Sequence, residues 1–320
     1  MSQFFSYIYG LLFQLITIPI RANNAFCLIY LCGPILVTAY VFSRTNTFKW
    51  GNFLKFLFPD RFYRHKENLV NLGMLCLNVV LRYIDHTSVP VVVAILLKKQ
   101  LIDNFDIPVG LLSQFSEESV GYLFYATGTL IILLVRELGF YIFHYLSHNV
   151  DFLFEFHKVH HSSVAFTPIS VMREHPIEFF FRKWVMGICE GVAYVLFFIL
   201  FGQKLQISTI FGVSSYVFLF YITYYHLLHS HVWLKFGGVW DYILNSPAHH
   251  QIHHSTNKEH WDKNYGGLFV IYDYIFGTLC IPPEKIDNLQ FGLNGDEEKQ
   301  YSSFAANMTL PLIKIAKNFR

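Results

Sequence analysis

His144 and His148, then His157, His160 and His161, then His250, His253 and His254 form three clusters containing pairs at i, i+3 or i+4. On a helix such spacing brings the rings to one face. Neutral imidazole is the commonest protein ligand for zinc, copper, iron and nickel. His226 and His229 stand between the second and third clusters. One such pair arises by accident. Eight histidines in three groups, set at the ends of apolar segments, point to a cluster of metal ions.

The clusters carry their own polar neighbours. Glu137, Tyr141, His144 and His148 follow one another at helical steps and share a face. Glu137 there either pairs with Arg136 at an interface or orients an imidazole through its second nitrogen. In Phe156–Ser162, His157 and His161 face together while His160 turns toward a neighbouring ion. In Tyr225–His231, His226 and His229 share a face that His231 does not. In Asn245–Ser255, His250, His253 and His254 repeat the spacing of the second cluster, and His249 points elsewhere. Asp262 and Asn264 either hold imidazole tautomers or serve as turn and cap residues. His175 precedes Pro176, which marks a helix start and a structural residue. His65, His86 and His260 have no partner at ligand spacing.

The elements that position these rings are apolar. The 320-residue chain is 53% hydrophobic and only 14% charged, against about 25% charge in soluble domains. Runs near the ~20 residues needed to cross a bilayer are Phe4–Ile20, Phe26–Phe42, Leu69–Leu97, Val120–Phe143, Val185–Phe201 and Ile207–Tyr225. The third is broken by Arg82, Asp85, His86 and Pro90, which predicts a kinked span or a short hairpin. Together they predict an all-α polytopic membrane bundle with a histidine-rich cap. Arg44, Lys49, Lys55, Arg61, Arg64 and Lys66 lie between the second and third runs. The positive-inside rule puts that loop in the cytoplasm, and counting spans from it puts the clusters there too. Lys98 and Lys99 fall on the wrong side of that count.

A net charge of +2 is too small to suggest a nucleic-acid role, and the basic residues read as headgroup-facing. The five cysteines show no paired spacing and read as small hydrophobes. The expected organisation is membrane segments over 1–119, a catalytic domain over 120–281 and a polar tail over 282–320.

The motif set resembles the fatty acid hydroxylase/sterol desaturase superfamily of membrane non-haem di-iron oxygenases. H-x-x-x-H falls on His144/His148, H-x-x-H-H on His157/His160/His161, the H-S-N-like segment on His229, and P-x-x-H-x-x-H-H on Pro247 and His250/His253/His254. The closing D-x-N-Y-G and W-D-x-L-F-G-T segments are matched by Asp262–Gly266 and Tyr272–Thr278. Arg136–His144 and Ser246–Asn264 are similar to the alkylglycerol monooxygenase branch, whereas Arg173–Pro176 is similar to bacterial sterol-desaturase-like members. Two departures stand out: Tyr145 replaces an arginine, and His231 stands where asparagine is usual, so either His231 or His226 is left to complete the metal shell.

The resemblance implies a cytoplasmic cap over at least four membrane helices, with two irons held almost wholly by histidine. The implied reaction uses O₂ to hydroxylate an unactivated C–H bond of a lipid, with desaturation as the alternative outcome. Acid or base side chains cannot cleave such a bond, so a metal must. Zinc can replace iron on overexpression, since imidazole accepts it readily. No H-P-G-G haem segment is present, so electrons are expected from a separate partner, either a cytochrome b5-like protein or a ferredoxin/flavoprotein reductase. Bacterial inner membrane and endoplasmic reticulum both fit. A metal transporter would instead place histidines inside the spans, a zinc protease would need H-E-x-x-H, and an inactive lipid-binding relative would not need the full ligand set.

Overall fold

The computed structural model describes Phe13, Thr17 and residues 27–45, 47–85, 88–286 and 289–318. The expected span Phe4–Ile20 lies outside the described residues apart from Phe13 and Thr17, as does His86. Among the described residues, three stretches are long and apolar enough to cross a membrane: Asn68–Asp103, Tyr122–Asn149 and Pro176–Phe201. Leu28–Arg44 is a shorter apolar helix. The first stretch is interrupted where the sequence predicted. Its opening helix, Asn68–Ile84, ends at an extended Asp85, and Val89–Lys98 follows with Pro90 in its first turn.

The expected span at Ile207–Tyr225 does not form. Thr209–Ile210 pairs with Val213–Ser214 in an antiparallel hairpin, and only the nine-residue helix Ser215–Thr223 follows. Phe211 and Gly212 sit at φ 50° and 76°, the two left-handed positions that a tight hairpin turn demands. β-branched Ile207, Thr209, Ile210 and Val213 around that glycine favour strands over a helix.

The chain divides into two compact units. The first comprises residues 1–85, 145–179 and 220–320. Its core gathers Val70, Met74, Val159 and Tyr301, with Leu293, Met308 and Leu310 against them. The residues beyond Pro282 are therefore not a detached tail. Tyr301 and Asn307 are fully buried, and the helix Phe304–Asn318 lies on the helix Asp151–His161. Arg173, itself wholly buried, ties these parts together. It donates to Glu67 Oε2 and Asn71 Oδ1 at 3.3 Å and to the Tyr301 carbonyl at 2.9 Å. A second core stacks Phe166 on Phe291 with centroids 4.1 Å apart, beside Phe62.

The second unit comprises residues 86–144 and 180–219. Its helices meet through small residues. A Cβ on Gly187 or Gly191, one turn apart, would fall 2.6 Å from the Cβ of Val89 or Val93. Such small-x-x-x-small faces let apolar helices approach closely where no hydrophobic effect drives them together. Arg136 donates to Glu190 Oε1 at 2.6 Å in the same unit.

Candidate metal centre

Two groups of imidazoles converge in the first unit. His148, from the last turn of the Tyr122–Asn149 helix, meets His157, His161 and His253, with one nitrogen of each within 4.8 Å of the others. His160, His229, His250 and His254 make a second group within the same limit. Two short helices feed both. On Asp151–His161, His157 and His161 lie one turn apart and serve the first group, while His160 serves the second. Pro247–His253 sends His253 to the first group and, with His254 just past its end, His250 to the second. The groups touch where the His161 and His254 rings stack at 4.4 Å. Ser246 caps this helix by accepting the His249 N–H at 3.3 Å, and Pro247 occupies its first position.

The outer nitrogens are held by oxygen. His157 Nδ1 lies 2.5 Å from Glu178 Oε1, and His253 Nδ1 donates to the Lys263 carbonyl at 2.8 Å. Ser170 donates its one proton to the Thr167 carbonyl at 2.7 Å, so at 2.9 Å its oxygen accepts from His229 Nδ1. That tautomer leaves a lone pair on His229 Nε2, which is buried without a hydrogen-bond partner. Leaving a buried polar atom unsatisfied costs about 1–3 kcal/mol, unless a cation completes it.

The inner nitrogens have the spacing of ligands on a shared ion. His148 Nε2 lies 3.2 Å from His161 Nε2, which lies 3.0 Å from His157 Nε2; His250 and His254 approach to 3.1 Å. Two imidazoles bound at about 2.0–2.1 Å to one metal stand about 2.9–3.4 Å apart when cis or tetrahedral. Burial first, then the neighbouring imidazoles, keep His161, His229 and His254 far below their ordinary pKa. Burial and His160 push His250 down to about 3. These rings are neutral at pH 7, the state that binds metal. The donor set fits transition-metal ions.

The other sequence candidates are placed as follows. His144 is buried one turn before His148 on the same helix, at the end of the second unit. His226 differs from expectation. It is buried, yet it belongs to neither group. The Tyr225–Leu228 helix stops after one turn, and His229, at φ −99° and ψ 72°, leaves the helical path that would have kept the two rings together. His231 is also outside both groups, between the rings of Phe56 and Phe62 at 5.1 and 6.0 Å. His249 is turned onto Ser246 Oγ at 2.7 Å, and burial lowers its pKa to about 4. Glu137 is half-buried in the second unit, while Glu178 stands at the outer nitrogen of His157.

Asp262 and Asn264 adopt φ 56° and 58°, the left-handed region these residue types tolerate. Asn264 pins its loop by donating to the His249 and Cys280 carbonyls at 3.2 and 2.9 Å. It thereby positions the Lys263 carbonyl rather than touching an imidazole. Asp262 is exposed, with Oδ1 3.7 Å from His148 Nδ1 and accepting the Tyr265 hydroxyl at 3.2 Å. His175 is structural, its Nδ1 accepting the Ile177 N–H at 3.1 Å. Glu178, Ser170 and Lys263 are the contributors that spacing alone does not reveal. Only Glu178 gave a signal, as a carboxylate in the first turn of an apolar helix.

Residues 129–278 match the family described as fatty acid hydroxylase. Human alkylglycerol monooxygenase is 29% identical over 150 residues, which are 47% of this chain and 30% of that one. A Delta(7)-sterol 5(6)-desaturase of Gibberella zeae is 26% identical over 183 residues, 57% of this chain and 50% of that one. The ornithine lipid hydroxylase of Rhizobium tropici is 29% identical over 180 residues, 56% of this chain and 48% of its own. The chain thus spans about a third to a half of the length of these relatives. No solved structure matches it significantly. Residues 129–278 are thus similar to the fatty acid hydroxylase family, and within it to the alkylglycerol monooxygenases.

Proposed function

We propose that this protein is a membrane di-iron monooxygenase that uses O₂ to hydroxylate a C–H bond in the apolar part of a lipid. The observation that carries this reading is the pair of histidine groups inside the matched domain. One ion is assigned to His148, His157, His161 and His253, with His144 added from its helical spacing to His148, and the other to His160, His229, His250 and His254. Bound iron would supply O₂ activation and removal of hydrogen from an unactivated carbon, which no side chain of this chain can do. The protein's part is to fix and dry the site. Glu178, Ser170 and the Lys263 carbonyl hold three imidazoles by their outer nitrogens and aim the inner ones. Phe166, stacked on His229 at 4.5 Å, excludes water from that side.

The likeness to alkylglycerol monooxygenase and ornithine lipid hydroxylase favours hydroxylation over the desaturation named for the fungal relative. The basic loop before Asn68 supports a site on the cytoplasmic side, and a separate electron donor reduces the irons. Turnover under ¹⁸O₂ with a reductant and membrane lipids tests the reading. A product heavier by one labelled oxygen is expected. Loss of two hydrogens without label would establish desaturation, and no change in any lipid by a fully iron-loaded protein would reject the oxygenase.

A further inference from the structure

The helix Trp50–Leu57 has two apolar faces where a helix lying on a water-facing surface needs one. Its inner face buries Phe53 and half-buries Phe56 and Leu57, with Phe56 against His231 at 5.1 Å. Its outer face carries Trp50 and Leu54 one turn apart, continued by Phe58, exposed by 71%, 51% and 51%. Phe48 extends this face, edge-on to Trp50 at 5.3 Å.

Cations flank the stripe. Arg44, Lys49, Lys55, Arg61, Arg64 and Lys66 are all exposed. Among the described residues, only Arg64 of these six is paired with a carboxylate, Asp60 at 3.0 Å. The other acid of the segment, Glu67, is buried and committed to Arg173. The outward surface is thus tryptophan, phenylalanine and leucine rimmed by uncompensated positive charge. Tryptophan and long cationic side chains with apolar stems suit the headgroup level of a bilayer. A cluster of four to eight cations next to an apolar helix complements anionic headgroups. A protein partner would have no comparable need for both features along the chain that leaves Leu28–Arg44.

We infer that residues 48–66 lie in the membrane interface and bind an anionic lipid surface, with Trp50, Leu54 and Phe58 among the acyl chains and Lys49, Lys55 and Arg61 at the headgroups. The buried side of this element reaches toward the metal centre. Phe62 shares a core with Phe166, whose ring stacks on His229. The lipid-binding element is therefore also part of the wall behind the second histidine group.

The full chain in nanodiscs tests this without any need for activity. With lipids brominated near the headgroup, the fluorescence of Trp50, taken as wild type minus Trp50→Phe, should be lost. Chain preparations exposed to mixed zwitterionic and anionic lipids should retain the anionic species, and added salt should release them. The triple variant Lys49→Gln/Lys55→Gln/Arg61→Gln should weaken that retention on the order of 100-fold, at about fivefold per cation, with metal content unchanged. An unquenched Trp50, a retention unaffected by the three substitutions, or a cross-linked dimer through Trp50→Cys would overturn the inference.

Discussion

Glu178 Oε1 lies 2.5 Å from His157 Nδ1, and both side chains are buried. The carboxylate fixes the ring's tautomer and makes its other nitrogen a better donor to metal. Glu178→Ala should lower metal affinity or turnover by about 10–100-fold, and Glu178→Gln, which keeps an acceptor oxygen, should lose less. Metal content by mass spectrometry after dialysis against a chelator measures this. Equal retention in both variants would remove Glu178 from the site.

Arg173 makes a prediction about stability instead. Its guanidinium is fully buried and joins Glu67, Asn71, Asn307 and the Tyr301 carbonyl. Removing one member of a buried ion pair costs about 3–5 kcal/mol, because the other charge is left without compensation. Arg173→Met should destabilise by that order, and adding Glu67→Gln should restore part of the loss. Denaturant unfolding of the wild type and the two variants in one detergent gives the comparison.

The reach of the sequence is clearest where the two readings meet. Helical spacing assigns His157 and His161 together, His160 apart, and His253 apart from His250 and His254 only once the fold is known. The helix Pro247–His253 is too short for periodicity to decide which ring serves which group. The holders were invisible for a different reason. Ser170 and Lys263 act from 59 positions before His229 and through a backbone carbonyl ten positions after His253, and neither leaves a mark in local pattern. The hairpin at Thr209–Ser214 was hidden by its own hydrophobicity, which matches that of a span. Asp262 and Asn264 both have the left-handed backbone of turn residues, and Asp262 also stands 3.7 Å from His148 Nδ1, so local pattern cannot separate its two roles.

The pH dependence of the metal-free protein follows from the neutral imidazoles. In the folded chain His161, His229 and His254 stay unprotonated well below the ordinary 6.5, and His250 down to about 3. In the unfolded chain the same groups bind protons near 6.5, so acid favours unfolding. Their contribution is present in full above pH 6.5 and is lost as pH falls below it, steadily until the folded groups titrate. Unfolding midpoints of the chelated protein between pH 8 and pH 4, values that bracket the window set by about 6.5, should therefore decline on the acid side. A midpoint that rises on acidification would contradict burial of the neutral rings.

His226 and His229 separate geometry from spacing. They lie three positions apart and share a helical face on paper, yet only His229 joins a histidine group. His229→Ala removes an imidazole whose inner nitrogen faces His250 and His254, with ring centroids at 4.8 and 4.6 Å. It should lower the bound metal from two ions toward one per chain and abolish turnover. His226→Ala removes a buried ring packed on Tyr225 at 5.3 Å, so its cost should fall on stability while metal stoichiometry holds. His65→Ala and His260→Ala, outside both groups, serve as controls that should keep metal and activity. Iron counted per folded chain, with folding checked by gel filtration, distinguishes the cases. If His226→Ala loses an ion as His229→Ala does, the second group needs a fifth ligand and the one-turn helix Tyr225–Leu228 must extend to bring it there.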